Sequence, residues 1–140
     1  MTQLYQVEAT ALGGRSGAVA TSDGQYRFEL TEGRRGDAPS CGANPEQLLA
    51  AGYAACLLSA IKSAASERDV KLSVDANVTV RIGLRRPRAD RADLDFDFHV
   101  GVDLPDLPEP FAKEIVAVAH DRCPFSRALR NPTPVRTSVA

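Results

Sequence analysis

The residues of this chain able to act as nucleophiles near neutral pH are three cysteines, Cys41, Cys56 and Cys123, and its two imidazoles are His99 and His120. A cysteine works as its thiolate, which attacks peroxides and disulfides and binds soft metals. An odd number of cysteines cannot all pair within one chain, and in a reducing compartment such cysteines suggest catalysis, metal binding or redox sensing more than a structural staple. Metal binding has little support, because no Cys-x-x-Cys occurs and the histidines are isolated, His99 on an expected strand and His120 on an expected helix. The Gly-x-Ser-x-Gly elbow of one large hydrolase class is absent. Taken singly, Cys56 within an apolar helix reads as a small hydrophobe or as a reactive thiol, and the first is the commoner role. Cys123, before a proline at a helix end, is no more telling, and Cys41 reads as an incidental exposed loop thiol.

The element that positions Cys56 begins at Asn44-Pro45-Glu46-Gln47. Asn44 is an N-cap, its side-chain oxygen accepting a first-turn N–H that has no partner within the helix. Pro45 fits the first helical position, where a missing donor costs nothing. Gln47 completes a capping box, and Glu46 puts negative charge at the positive end of the helix dipole. No further charge appears until Lys62, and Leu48, Leu49, Ala50, Ala51, Ala54, Ala55, Leu57, Leu58, Ala60 and Ile61 leave almost no polar face. A helix apolar all round is buried. The run is short and Ala-rich for a bilayer span, which favours a buried central helix ending near Glu67-Arg68-Asp69.

Before that helix, Tyr5 to Ala11 alternates as a strand, Leu12-Gly13-Gly14-Arg15-Ser16-Gly17 is a turn, and residues 18–21 and 26–30 form a hairpin around Asp23-Gly24. Thr31 to Gly42 is a polar loop. After the helix, alternation from Val70 to Leu84 predicts one long half-buried strand, and Leu94, Phe96, Phe98, Val100 and Val102 mark its return. The charged stretch Arg85 to Arg91 between them is a solvated turn. Leu104 to Pro110, with three prolines, is expected to be irregular. Phe111 to Arg122 has helical spacing, Cys123-Pro124 interrupts it, Ser126 to Arg130 can add one helical turn, and Val135 to Val139 is a candidate last strand. This order predicts a single α+β domain over residues 1–140, with an antiparallel sheet covering one side of the central helix. The other side of an all-apolar helix then needs a cover, which a homodimer supplies most economically.

At 140 residues the chain is long enough to bury a core, and its net charge of −1, with charges alternating rather than clustered, points away from nucleic acid and anionic membranes. The N-terminus lacks the basic and apolar regions of a signal peptide, so the expectation is a cytoplasmic protein.

Together, Asn44-Pro45-Glu46-Gln47-Leu48, Ala50-Ala51-Gly52-Tyr53-Ala54-Ala55-Cys56, Val118-Ala119-His120 and Cys123-Pro124-Phe125-Ser126 resemble the organic hydroperoxide resistance (Ohr) branch of the OsmC/Ohr thiol peroxidases. The turn carrying Arg15 is similar to that family's arginine-bearing loop, and the resemblance runs from Tyr5 to the last expected strand. It implies an OsmC-like α+β fold in an intertwined homodimer with active sites at the subunit interface. It assigns Cys56 as the peroxidatic and Cys123 as the resolving cysteine, with Arg15 and Glu46 as a charge network at the thiolate. It also implies reduction of organic and fatty-acid hydroperoxides, recycling by dihydrolipoyl groups on lipoylated proteins, and no metal, haem or flavin. An arginine stays charged when buried and favours a thiolate, and Glu46 can orient it through two parallel hydrogen bonds or be only a first-turn carboxylate. Against the family pattern, Leu49 replaces an aromatic, Phe125 a tyrosine, and Leu129-Arg130-Asn131 the family's Arg-Gly-Asn; Cys41, Arg34 and Arg35 stand in the otherwise glycine-rich approach. The remaining alternatives are another OsmC-like branch with a different peroxide or thiol substrate, and a non-catalytic redox-sensing or ligand-binding domain.

Overall fold

The Asn44 cap forms as the sequence predicts. In the computed structural model, which describes residues 2–32, 42–90 and 92–140, Asn44 Oδ1 accepts the Gln47 N–H at 2.8 Å and Gln47 Oε1 accepts the Asn44 N–H at 2.8 Å. Helix α1 (Pro45–Ser66) follows. Its other end closes in a Schellman turn: the Val70 N–H reaches Ala65 O and the Asp69 N–H reaches Ser66 O, both at 3.0 Å. Asp69 adopts the left-handed conformation at φ 57° that this turn needs and that aspartate tolerates better than most residues.

The chain divides into two compact units, Met1–Leu49 and Ala50–Ala140. The first carries the antiparallel strands β1 (Ala9–Leu12), β2 (Ala18–Thr21) and β3 (Arg27–Glu29), in that order across the sheet. A short 3-10 turn, Gly14–Ser16, joins β1 to β2. Gly17 is obligatory there, because a Cβ would lie 1.8 Å from the Leu12 carbonyl oxygen. The first strand starts later than its alternation suggests. Ala9 pairs with Thr21, the last residue of β2, and past that pair the Ser22 N–H donates to Glu8 O at 2.9 Å; Tyr5 and Val7 are exposed. Arg34, Arg35 and Cys41 lie outside the described residues.

The second unit holds β4 (Asn77–Arg85), β5 (Asp95–Asp103), α2 (Glu109–Arg122) and α3 (Pro124–Arg130). The strands pair antiparallel, matching Val78 with Val102, Val80 with Val100, Ile82 with Phe98 and Leu84 with Phe96, so the apolar residues share one face. The long strand expected from Val70 is cut short. Ser73 Oγ takes the Asp75 N–H, the Ala76 N–H bonds to Ser73 O, and the resulting turn leaves Val74 98% exposed. A serine that bonds its own neighbouring backbone competes with a strand ladder, and alternation does not reveal this. Helix α2 takes in Glu109 and Pro110, which were expected to be irregular, since a proline in the first turn sacrifices no hydrogen bond. Likewise α3 starts at Pro124 rather than Ser126. The final strand does not form: residues 132–140 have no regular structure, and Val135 and Val139 stay in solvent.

Tyr53, Leu57, Ile61 and Ala64 recur every three or four residues along α1 and are buried with Ile115 and Ala119 of α2. Val78 and Val80 of β4, and Phe98, Val100 and Val102 of β5, pack against this cluster. Each fully buried Leu or Ile contributes roughly 1.5–3 kcal/mol of apolar transfer. The protein is thus α+β, with antiparallel strands packed on a long central helix. Among the described residues, Ala51, Ala55, Ser59, Lys62 and Ser66 form an exposed stripe along that helix. At 22 residues α1 is long and apolar enough to cross a membrane by length and composition, but Leu57 and Ile61, at 0% exposure, belong to the closed core just described.

Candidate active site

Cys56 and Cys123 meet in the second unit. Cys56 is half-buried on α1, and Cys123 is fully buried between α2 and α3; both are free thiols. Pro124 holds Cys123 out of helical geometry, at φ −64° and ψ 120°, so the chain turns there and α3 starts with first-turn N–H groups that have no partner within the helix. Cys56 lies beside Cys123, with the Phe125 backbone N–H near its sulfur. Burial pushes the Cys56 thiol above its ordinary pKa, and the neighbouring Cys123 pushes it further, while the Phe125 N–H pulls the other way. This unit brings the two sulfurs together and disfavours the Cys56 thiolate.

Aromatic rings build one wall of the site. Tyr53, three residues before Cys56 and so on the same side of α1, stacks on Phe125 with centroids 5.8 Å apart and planes 11° apart. Phe98 meets Tyr53 edge-on at 6.3 Å. Gly52 lies against the stack, where a Cβ would stand 3.4 Å from Phe125 Cζ, an ordinary van der Waals contact.

A polar chain runs behind this wall. The Tyr53 hydroxyl and Ser126 Oγ are 2.9 Å apart, and Ser126 Oγ is 2.8 Å from His120 Nδ1. Ser126 is 2% exposed and Tyr53 4%. Burial lowers the His120 pKa, and Arg130, whose Nη2 donates to His120 O at 2.8 Å, lowers it further, while Asp121 raises it. Sequence alone leaves His120 isolated on a helix; here it is tied to the cysteine turn. The available signal was the spacing His120-x-x-Cys123-x-x-Ser126, which puts all three residues around one helix junction.

Arg15 and Glu46 meet in the first unit. Arg15 projects from the 3-10 turn, and its Nη1 and Nη2 donate to Glu46 Oε1 and Oε2 at 2.8 and 2.6 Å. This is the two-pronged pairing expected of a guanidinium and a carboxylate, and Glu46 is also the first-turn carboxylate of α1, so both readings of that residue hold. The pairing raises the Arg15 pKa and holds Glu46 below the usual carboxylate range. The Glu46 side chain is 14% exposed and that of Arg15 44%. Because the folded Glu46 pKa is lowered, the pair's stabilisation is complete above the ordinary carboxylate pKa of about 4.3 and fades as pH falls through the lowered value. Elsewhere, His99 pairs across the sheet with Arg81, as a surface strand residue. Among the described residues no three His, Cys, Asp or Glu side chains cluster as a metal site.

Residues 36–138 match the model of the OsmC-like protein family. The chain belongs to the OsmC-like family. Its organic hydroperoxide resistance branch is also evident in its relatives. Over 97% of this chain and 98% of the relative, it is 34% identical to organic hydroperoxide resistance protein OhrB of Bacillus subtilis. The crystal structure of that OhrB superposes with a TM-score of 0.82 at 33% identity, covering 93% of this chain and 94% of the other. A putative organic hydroperoxide resistance protein of Vibrio cholerae, solved with captopril in one of its active sites, gives a TM-score of 0.82 at 35% identity, covering 94% of this chain and 89% of the other. The OsmC-like fold expected from the motifs is therefore the fold of this chain.

Proposed function

We propose that this OsmC/Ohr-family chain is a cysteine peroxidase that reduces organic hydroperoxides, fatty-acid hydroperoxides among them, to alcohols. The observation that carries the reading is the contact between the Cys56 and Cys123 thiols, in a chain whose full-length relatives are named for resistance to organic hydroperoxides. The Cys56 thiolate attacks the terminal peroxide oxygen, the O–O bond breaks, and the departing alkoxide takes up a proton to become the alcohol. Cys56 is left as a sulfenic acid. Cys123 then attacks the Cys56 sulfur, forming the disulfide, and the hydroxyl leaves as water with the Cys123 proton. A dithiol of the dihydrolipoyl type reduces the disulfide to two thiols and becomes oxidised itself. The Tyr53, Phe98 and Phe125 rings favour an apolar peroxide over hydrogen peroxide. No bound metal or organic cofactor enters this cycle. The reading also places the protein in the cytoplasm, where lipoylated proteins and a reducing pool are at hand, and treats residues 1–140 as one functional domain. The expected result is rapid consumption of tert-butyl or fatty-acid hydroperoxide with dihydrolipoamide and much slower consumption of hydrogen peroxide. A protein that consumes neither is the non-catalytic redox domain, the reading favoured by the raised Cys56 pKa within one chain.

A cation near the sulfur would offset that rise, and Arg15, already oriented by Glu46, is the candidate. Glu46 and Cys56 are ten residues apart on one helix, α1. That is about 15 Å along the axis and about 80° around it, which disfavours a shared contact within one chain. The exposed Ala51, Ala55 and Ser59 stripe suits a partner helix, so the proposal is a homodimer in which the Arg15–Glu46 pair of one protomer serves the thiol of the other. Arg15→Ala should then move the pH midpoint of Cys56 alkylation upward with little change in thermal stability. Mixed with Cys56→Ser chains under subunit exchange, it should regain part of its activity, because half the sites of each heterodimer carry neither defect. Unchanged alkylation in Arg15→Ala removes Arg15 from the site; no recovery in proven heterodimers returns it to its own chain.

A further inference from the structure

The Tyr53–Ser126–His120 chain has no part in the cycle above, yet all three members attach to the segment that carries Cys123. Tyr53 comes from α1, Ser126 from the first turn of α3, and His120 from the last turn of α2. Cys123 lies between the last two, three residues from each. The donors can be ordered from the chemistry alone. Among the described residues the Tyr53 hydroxyl has one hydrogen-bond partner, Ser126. If Tyr53 donates to Ser126 and Ser126 donates to His120 Nδ1, each hydroxyl proton has an acceptor. If His120 Nδ1–H donates instead, Ser126 Oγ can accept from both His120 and Tyr53, but its own proton then has no acceptor in this chain of hydrogen bonds, in a side chain only 2% exposed. The first order therefore holds, with His120 neutral and its Nδ1 lone pair terminating the chain. The lowered His120 pKa agrees with this.

We propose that Ser126 and His120 are positioning residues which, through Tyr53, fix the Cys123 turn to α1 and so keep Cys123 within reach of Cys56. The sulfurs sit on separate elements, Cys56 on α1 and Cys123 at the α2–α3 turn, and the relay ties that turn to the middle of α1, while the Arg122–Glu67 ion pair links it to the end of that helix. Phe125 stacking on Tyr53 supplies the apolar counterpart. The inference rests on the peroxidase reading for its biological meaning, but its content is the effective concentration of one thiol at the other.

That quantity is measured without peroxide, by equilibrating the full protein with a glutathione redox buffer and following the Cys56–Cys123 disulfide in a Cys41→Ser background. Ser126→Ala and His120→Leu should each disfavour the disulfide about tenfold, the effect of losing one buried hydrogen bond. His120→Asn keeps an acceptor where Nδ1 stood and should restore most of the wild-type equilibrium. A role in general stability would instead lower the melting temperature of His120→Asn and His120→Leu alike and leave the disulfide equilibrium unmoved. Wild-type equilibria in Ser126→Ala and His120→Leu, or no rescue by His120→Asn, overturn the proposal. Failure of the peroxidase reading shows separately, as wild-type protein that forms this disulfide with glutathione but does not consume organic hydroperoxide.

Discussion

Cys56→Ser should abolish reduction of organic hydroperoxides, by roughly 10³-fold or more in kcat/KM, because a serine hydroxyl remains protonated near neutrality and lacks the nucleophilicity of a thiolate. The replacement is nearly isosteric and Cys56 is only half-buried, so folding stability should change by no more than about 1 kcal/mol. A coupled turnover assay alongside a thermal melt separates the two effects. Near-normal turnover in this variant places the chemistry on another residue. Cys41→Ser, by contrast, should leave turnover close to wild type, since that thiol lies outside the matched motifs.

Cys123→Ala should leave the first step and remove the second. With a small excess of organic hydroperoxide the variant should release about one alcohol per chain and then stop, its Cys56 advancing from sulfenic to sulfinic acid. Intact-protein mass spectrometry reads the added oxygens directly, and wild type at the same peroxide ratio should show a disulfide instead. Cys123 is fully buried, so the variant also loses packing, at a cost on the order of 1 kcal/mol. Sustained multiple turnovers in Cys123→Ala with a monothiol absent would remove Cys123 from the resolving step.

Local chemistry was legible in the sequence, and tertiary pairing was not. The Asn44–Gln47 capping box forms from residues three apart, so its hydrogen bonds follow from the local pattern alone. The β4–β5 face was equally readable from Val78 to Ile82, where alternation and pairing agree. Alternation overran at Val70–Ala76 because Ser73 bonds its own backbone, and it misled at Val135–Val139, where residues of the right type find no ladder. The central helix was recognised as apolar all round, but periodicity could not tell that Leu57 and Ile61 would face the core while Ala51 and Ala55 stayed outside. The Arg15–Glu46 pair spans 31 positions and was anticipated only through the family resemblance and the affinity of a guanidinium for a carboxylate. The Tyr53–Ser126–His120 chain was missed: the spacing of His120 and Ser126 about Cys123 places two of its members at one helix junction, but no spacing rule brings Tyr53 of α1 to them.

The central claim is that Cys56 and Cys123 together carry two electrons to an organic hydroperoxide. It is tested most directly by treating fully reduced protein with a single equivalent of that peroxide and mapping its cysteines by peptide mass spectrometry without reduction. The account predicts a Cys56–Cys123 linked peptide formed in equal amount to the alcohol released, with Cys41 still a free thiol. Alcohol released with both thiols unchanged, or a disulfide formed through Cys41, would contradict it.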